Sequence, residues 1–183
     1  MKLHLGCGKR NFEGWTNVDL ANFPHIHYQT SVDDLHMIAN NSCEVIYSSH
    51  TIEYFCRNEI NNVLGEWHRV LKPGGTLRVA VPDFDALIKV YRETGNLSLI
   101  LGPLYGKMKI TTDCKEDYIF HKTVYNFSDL KTILESNGFG DVHQYDWRVT
   151  EHSMYDDHSQ AYMPHMDKEN GLLLSLNVEA IKC

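Results

Sequence analysis

Apolar and polar positions along the chain fall into three stretches of different rhythm. In the first, short apolar runs alternate with turns, so Lys2 to Cys7, Thr16 to Leu20, Ile26 to Thr30 and Val45 to Ser49 each read as a strand. A helix follows. Ile60, Val63, Leu64, Trp67, Val70 and Leu71 recur at i, i+3, i+4, i+7, i+10 and i+11, which is one apolar stripe at the helical period. Pro73-Gly74-Gly75 predicts its end at Lys72, because proline constrains the residue before it and glycine permits the left-handed turn. Leu77 to Val81 then reads as a buried strand closed by Pro82. Asp83 is placed to cap a helix with Phe84, Leu87, Ile88 and Tyr91 on its apolar face.

The second stretch, from about Thr94 to Val124, has no clear period and predicts an irregular insertion able to shape a pocket. Regularity returns in the third. Ser128 is the expected helix cap, Leu130, Ile133 and Leu134 share a face, and Asn137-Gly138 is the expected stop. Val142 to Val149 and Leu172 to Lys182 predict the last strands. No repeat or linker interrupts the chain, so 1–183 reads as one domain. Strand–helix–strand units followed by a late strand pair predict an α/β fold, its sheet mainly parallel with an antiparallel edge. Ligands of such sheets sit at the carboxyl ends of the strands, where strand order reverses.

Composition narrows the partners. At 43% hydrophobic and 22% charged residues the chain is globular in character, and no apolar run approaches the ~20 residues of a membrane span. The net charge is −7 and the longest basic cluster is Lys9-Arg10, so nucleic acid is not expected as a partner. Met1 to Leu5 runs into a glycine turn without a signal-peptide core. The five cysteines (Cys7, Cys43, Cys56, Cys114 and Cys183) are scattered, which points to free thiols and a cytoplasmic protein.

Gly6-Cys7-Gly8 follows the first predicted strand, where glycine allows a sharp bend and close approach of a ligand. A tight turn alone has the same signature. Asp19 ends the second strand, and a carboxylate there accepts hydrogen bonds from both hydroxyls of a ribose; capping a turn is its other reading. Ten residues separate Gly8 from Asp19, against roughly twenty in a dinucleotide fold, which disfavours an NAD-dependent oxidoreductase. The histidines suggest a metal, notably His25 with His27, and His152, His158 and His165 beside Asp156 and Asp157. Their spacing matches no metal motif, so no metal is expected.

Four segments carry a resemblance: Leu3-His4-Leu5-Gly6-Cys7-Gly8, Asn17-Val18-Asp19-Leu20, the stretch from Asn41 to Phe55, and Glu66-Trp67-His68-Arg69-Val70-Leu71-Lys72-Pro73-Gly74-Gly75. In this order they resemble the class I S-adenosylmethionine-dependent methyltransferases. Gly14-Trp15, Val81-Pro82-Asp83-Phe84 and Asn137-Gly138-Phe139 resemble a compact, methyltransferase type 11-like subgroup lacking the usual N-terminal helices. The resemblance implies a Rossmann-like fold with a mainly parallel seven-stranded sheet, an antiparallel edge strand and reduced N-terminal helices. It also implies S-adenosyl-L-methionine as cofactor. Gly6, Cys7 and Gly8 would pass under the methionine and ribose, Asp19 would hold the ribose, and Leu20 would lie against the adenine. Asp34 and Leu35 would flank the adenine; Ser48, Ser49 and His50 would line the methionine end. His4 stands where the family commonly has an acid, and Arg10 where it often has a third glycine.

The implied activity is methyl transfer by in-line displacement to a small-molecule or sugar acceptor that no motif names. The alternative is a non-catalytic S-adenosylmethionine-binding or partner-stabilising subunit with the same fold. Alignment of the acceptor is the main task. Where a proton must leave, His50, Asp83 and His121 are the candidate bases, each with a plainer reading as a cap or surface group.

Overall fold

In the computed structural model, residues 1–111 and 116–183 are described. The first strands are β1 (Lys2–Leu5), β2 (Thr16–Asp19), β3 (Tyr28–Gln29) and β4 (Cys43–Ser49), followed by helix α1 (Ile60–Val70), strand β5 (Leu71–Pro82) and helix α2 (Phe84–Thr94). Then come α3 (Ser98–Tyr105), the hairpin β6 (Lys107–Thr111) and β7 (Glu116–Phe120), and α4 (Phe127–Ser136). Strands β8 (Phe139–Gln144), β9 (Tyr162–Met163), β10 (Leu172–Leu173) and β11 (Ser175–Lys182) complete the chain.

The main sheet has seven strands in the order β3-β2-β1-β4-β5-β11-β8. Its first five are parallel, and β11 runs antiparallel to both β5 and β8. Leu3, Leu5, Ile46, Leu77, Val79 and Val81 are fully or almost fully buried, as expected of strands covered on both faces. The α1 stripe of Ile60, Val63, Leu64, Trp67 and Val70 packs into this core, and Trp67 Nε1 donates to the Val32 carbonyl at 2.8 Å. On the chain, β1, β2 and β3 step outward and β4 returns beside β1. The strand order therefore reverses between β1 and β4, and only turns connect β1 to β2.

Several boundaries differ from the sequence reading. Leu71 is already extended, and Pro73-Gly74-Gly75 lies inside β5 rather than before it. The pairing steps from Cys43↔Leu71 to Val45↔Thr76, so a bulge absorbs the turn-forming residues. Helix α4 is capped by Asn126, which accepts from the Asp129 amide at 3.0 Å; Ser128 is within the helix. Strand β8 starts directly after Gly138, and the chain beyond Gln144 turns into a 3₁₀ segment, Trp147–Val149, capped by Asp146. The expected last strand is split, because Leu172–Leu173 pairs with β9 and Leu174 donates its amide to Ala161.

The expected insertion is largely ordered as α3 and the β6–β7 hairpin; its residues 112–115, with Cys114, lie outside the described residues. The other four cysteines are free thiols. Among the described residues no helix is long and apolar enough to cross a membrane.

Candidate active site

A cavity of about 650 Å³ opens at the strand-order reversal. Gly6 and Gly8 end β1 with φ of +66° and +54°, a left-handed backbone that glycine adopts without Cβ strain. A Cβ at Gly6 would collide with the Thr51 side chain, whereas the space beside Gly8 is open. The Gly8 amide donates to Asp19 Oδ2 and the Ala21 amide to Asp19 Oδ1, both at 2.8 Å. These bonds aim the carboxylate at the cavity while leaving each oxygen a further lone pair. His25 Nε2 contacts the Gly8 carbonyl at 2.9 Å and braces the turn, and His27 Nδ1 accepts from the Asn17 amide of β2 at 3.1 Å.

Leu20, Phe23 and Val32 give the Asp19 end an apolar wall, and His50, Thr51, Tyr54 and Phe55 form the other end. The hairpin flanks the cavity. In its register Met108 pairs with Ile119 and Ile110 with Asp117, so strand alternation puts Met108, Ile110 and Ile119 on one face, and all three line the space.

A family model described as a methyltransferase domain matches residues 14–79. An S-adenosylmethionine-dependent methyltransferase from Archaeoglobus fulgidus is 16% identical, with a TM-score of 0.56 over 99% of this chain and 85% of that one. One from Methanosarcina mazei is 14% identical, with a TM-score of 0.57 over 99% and 91%. The chain has the class I methyltransferase fold. The 1,6-didemethyltoxoflavin-N1-methyltransferase of Burkholderia thailandensis, solved with bound 1,6-didemethyltoxoflavin and S-adenosylhomocysteine, shares this fold at 13% identity and a TM-score of 0.55 over 99% of this chain and 70% of that one. No curated protein matches the sequence. The resemblance thus holds for the fold, and the matched residues take in three of the four motif segments, all but Leu3 to Gly8.

Within this methyltransferase fold, Gly6, Gly8, Asp19, Leu20 and His50 line the cavity. The other expected contacts do not. Cys7 is buried, and its thiol is pushed up to about 12 by burial and by Asp19. Ser48 is buried and donates to the Leu5 carbonyl at 3.1 Å; the Ser49 hydroxyl is enclosed without a partner among the described residues. Asp34 faces solvent and pairs with His36 at 2.7 Å, which holds its carboxyl below the usual value. Leu35 is in the core. The Glu66 carboxylate takes its amide at 2.9 Å and Trp67 holds Val32, so the loop is pinned to α1 and presents Ser31 and Val32 to the cavity instead.

His4 also lies away from the cavity. It stacks on Phe12 at 3.9 Å beside Tyr47, and burial and then His152 push its pKa down to about 3. Arg10 does line the cavity, and its Nε donates to the Asp156 carbonyl at 3.2 Å.

Of the candidate bases, Asp83 caps α2, accepts from the Asp85 amide at 3.0 Å, and is not on the cavity wall. Burial raises its pKa. His121 is buried under Gly106 with Nδ1 on the Pro103 carbonyl at 2.9 Å. His50 reaches the cavity from a left-handed backbone at φ +51°. Burial holds both imidazoles below their ordinary value, His50 well below it. Between the two lies Glu53, which the sequence reading passed over as part of a motif. Phe23 and the hairpin face were missed as well, since neither sits in a recognised segment. Among the described residues no group of three His, Cys, Asp or Glu could hold a metal ion.

Proposed function

We propose that this protein is an S-adenosylmethionine-dependent methyltransferase that uses the cavity for its cofactor and methylates a small-molecule or sugar acceptor. The observation that carries this reading is the Asp19 carboxylate, fixed by the Gly8 and Ala21 amides at the cavity wall. The residues present fit the cofactor. Asp19 has lone pairs for two ribose hydroxyls, Leu20, Phe23 and Val32 offer an apolar bed to an adenine, and the bare backbone at Gly6 and Gly8 admits close approach. His50 and Thr51 would then wall the methionine end.

Bound there, the cofactor supplies a methyl carbon activated by its sulfonium. The protein's own contribution is alignment, worth roughly 7–11 kcal/mol in favourable cases. Met108, Ile110 and Ile119 add an apolar wall on the hairpin side. A cavity flanked by a hairpin suits a small acceptor better than a polymer, and so does the net charge of −7.

Thermal unfolding with S-adenosylhomocysteine and with NAD tests the reading. At a hundred times its dissociation constant the former should add about 2.7 kcal/mol of stability, and NAD none. A shift with NAD alone, or with neither, would contradict it.

A further inference from the structure

Glu53 sits in a 3₁₀ turn, Ile52–Tyr54, that begins two residues beyond β4, and has no exposed surface. Neither of its carboxyl oxygens has a hydrogen-bond partner among the described residues. Its Oε1 lies 3.6 Å from His50 Nδ1 and 3.7 Å from His121 Nε2.

The surrounding bonds fix the protons on both rings. Asn177 Nδ2 donates to the Ser159 carbonyl at 2.9 Å, so Asn177 Oδ1 is an acceptor, 3.1 Å from the Ser175 hydroxyl. The other neighbour of this hydroxyl, the Val81 carbonyl at 3.5 Å, is also an acceptor, so with its proton on either one Ser175 Oγ accepts from His50 Nε2 at 3.2 Å. His121 Nδ1 donates to the Pro103 carbonyl. Each neutral ring thus turns a lone pair toward Glu53. Two lone pairs facing an anion repel it, so the empty site favours one further proton on the carboxyl.

Burial acts in the same direction, pushing Glu53 up to about 8. The neighbouring histidine and tyrosines supply no cation, and the two nearby cations are paired elsewhere, Arg57 with Asp129 and Lys122 with Glu59. His158 stands 5.2 Å from the His50 ring, and burial lowers its pKa too. Tyr54 is edge-on to His121 at 4.7 Å, and Tyr125 is buried, its hydroxyl without a partner among the described residues. Arg57 stacks on the Tyr125 ring at 4.5 Å, and Lys122 gives Glu53 only its main-chain amide.

Of the three clustered side chains, His50 alone reaches the cavity wall. We propose that Glu53, acting through His50, takes up the proton that the acceptor gives up, and that the charge in the cavity sets its state: carboxylate beside a bound sulfonium, carboxylic acid beside a thioether. This rests on the adenosylmethionine reading. In the step, an acceptor lone pair forms the bond to the methyl carbon and the C–S electron pair stays on sulfur. Beside the carboxylate the His50 ring carries its proton on Nδ1 and leaves Nε2 free; the acceptor's proton arrives at Nε2 as the Nδ1 proton passes to Glu53 Oε1, which restores the Nε2–H ring of the empty site. One positive and one negative charge are lost together, so the buried site ends neutral, as it began.

Calorimetric titration at pH 7 in buffers of different ionisation enthalpy tests this by counting protons. Binding of S-adenosylmethionine should release roughly half a proton or more per site beyond that seen with S-adenosylhomocysteine. Glu53→Gln should abolish the difference. Equal proton counts for the two ligands in the wild-type protein would overturn the proposal, as would a difference that survives in E53Q. Binding of neither ligand would instead remove the adenosylmethionine reading, and this proposal with it. Should E53Q not fold, infrared difference spectra of the wild-type protein decide the matter. The carbonyl band of a buried carboxylic acid should disappear with the sulfonium ligand and persist with the thioether; a band unchanged by both would overturn the proposal.

Discussion

The amide of Gly8 and the carboxylate of Asp19 are joined by a 2.8 Å hydrogen bond across eleven positions of sequence. That bond couples the glycine turn after β1 to the end of β2. With the Ala21 amide on the other oxygen, it leaves Asp19 no freedom to swing away from the cavity.

Asp19→Ala should therefore remove two functions, ribose recognition and bracing of the turn. Hydrogen bonds to a charged group contribute about 1.5–3 kcal/mol. S-adenosylhomocysteine affinity should fall at least about tenfold, measured by calorimetry. Asp19→Asn, which keeps an acceptor oxygen, should fall less. Equal losses in the two variants would count against a role for the charge.

Gly6→Ala should destabilise the fold twice over. Its φ of +66° costs about 1–2 kcal/mol for a residue with a Cβ, and the added methyl meets Thr51. Thr51→Ala in the same chain should recover the steric part and leave the backbone part. Urea unfolding of the four members of this double-mutant cycle checks the coupling; additivity would show that the contact is not felt.

The pH dependence of stability follows from opposite shifts. Glu53 is raised from 4.5 to about 8, so the stability it has in full below pH 4.5 is lost as pH rises toward 8. His4 and His152 are lowered from 6.5 to about 3 and about 4, mainly by burial. The stability they have above pH 6.5 is lost as pH falls. Near pH 6.5 the histidines that burial lowers, His50, His68, His121 and His158 with these two, oppose Glu53, because each is half protonated once unfolded; Glu53 outweighs them only toward pH 8. Urea unfolding between pH 6.5 and 8 should therefore show a stability difference, wild type minus E53Q, that falls by up to about 1.4 kcal/mol per pH unit; parallel curves for the two proteins would contradict the assignment.

What could be read from the sequence was what local chemistry decides. The Ile60–Val70 stripe, the Gly6 and Gly8 turn and the Asp19 position follow from periodicity and spacing, and they lie where expected. Helix α3 was missed because Ser98 to Tyr105 is apolar nearly all round and carries Gly102 and Pro103, which erases the amphipathic signal. The hairpin alternates, but most of both its faces is exposed, so burial gave it no pattern. Asp34 and Leu35 were misplaced for a tertiary reason, the anchoring of their loop by Glu66 and Trp67. Glu53 stood in plain view within a motif. Its burial between two histidines comes from the return of residues 120–122 over the β4 end, which no local pattern encodes.

The central claim is that the residue 6–8 turn and Asp19 together hold an adenosine. A crystal structure with S-adenosylhomocysteine is the direct test. The account expects both ribose hydroxyls within hydrogen-bond distance of the Asp19 carboxylate and the adenine against Leu20. A nucleoside bound elsewhere, or a ribose turned away from Asp19, would contradict it.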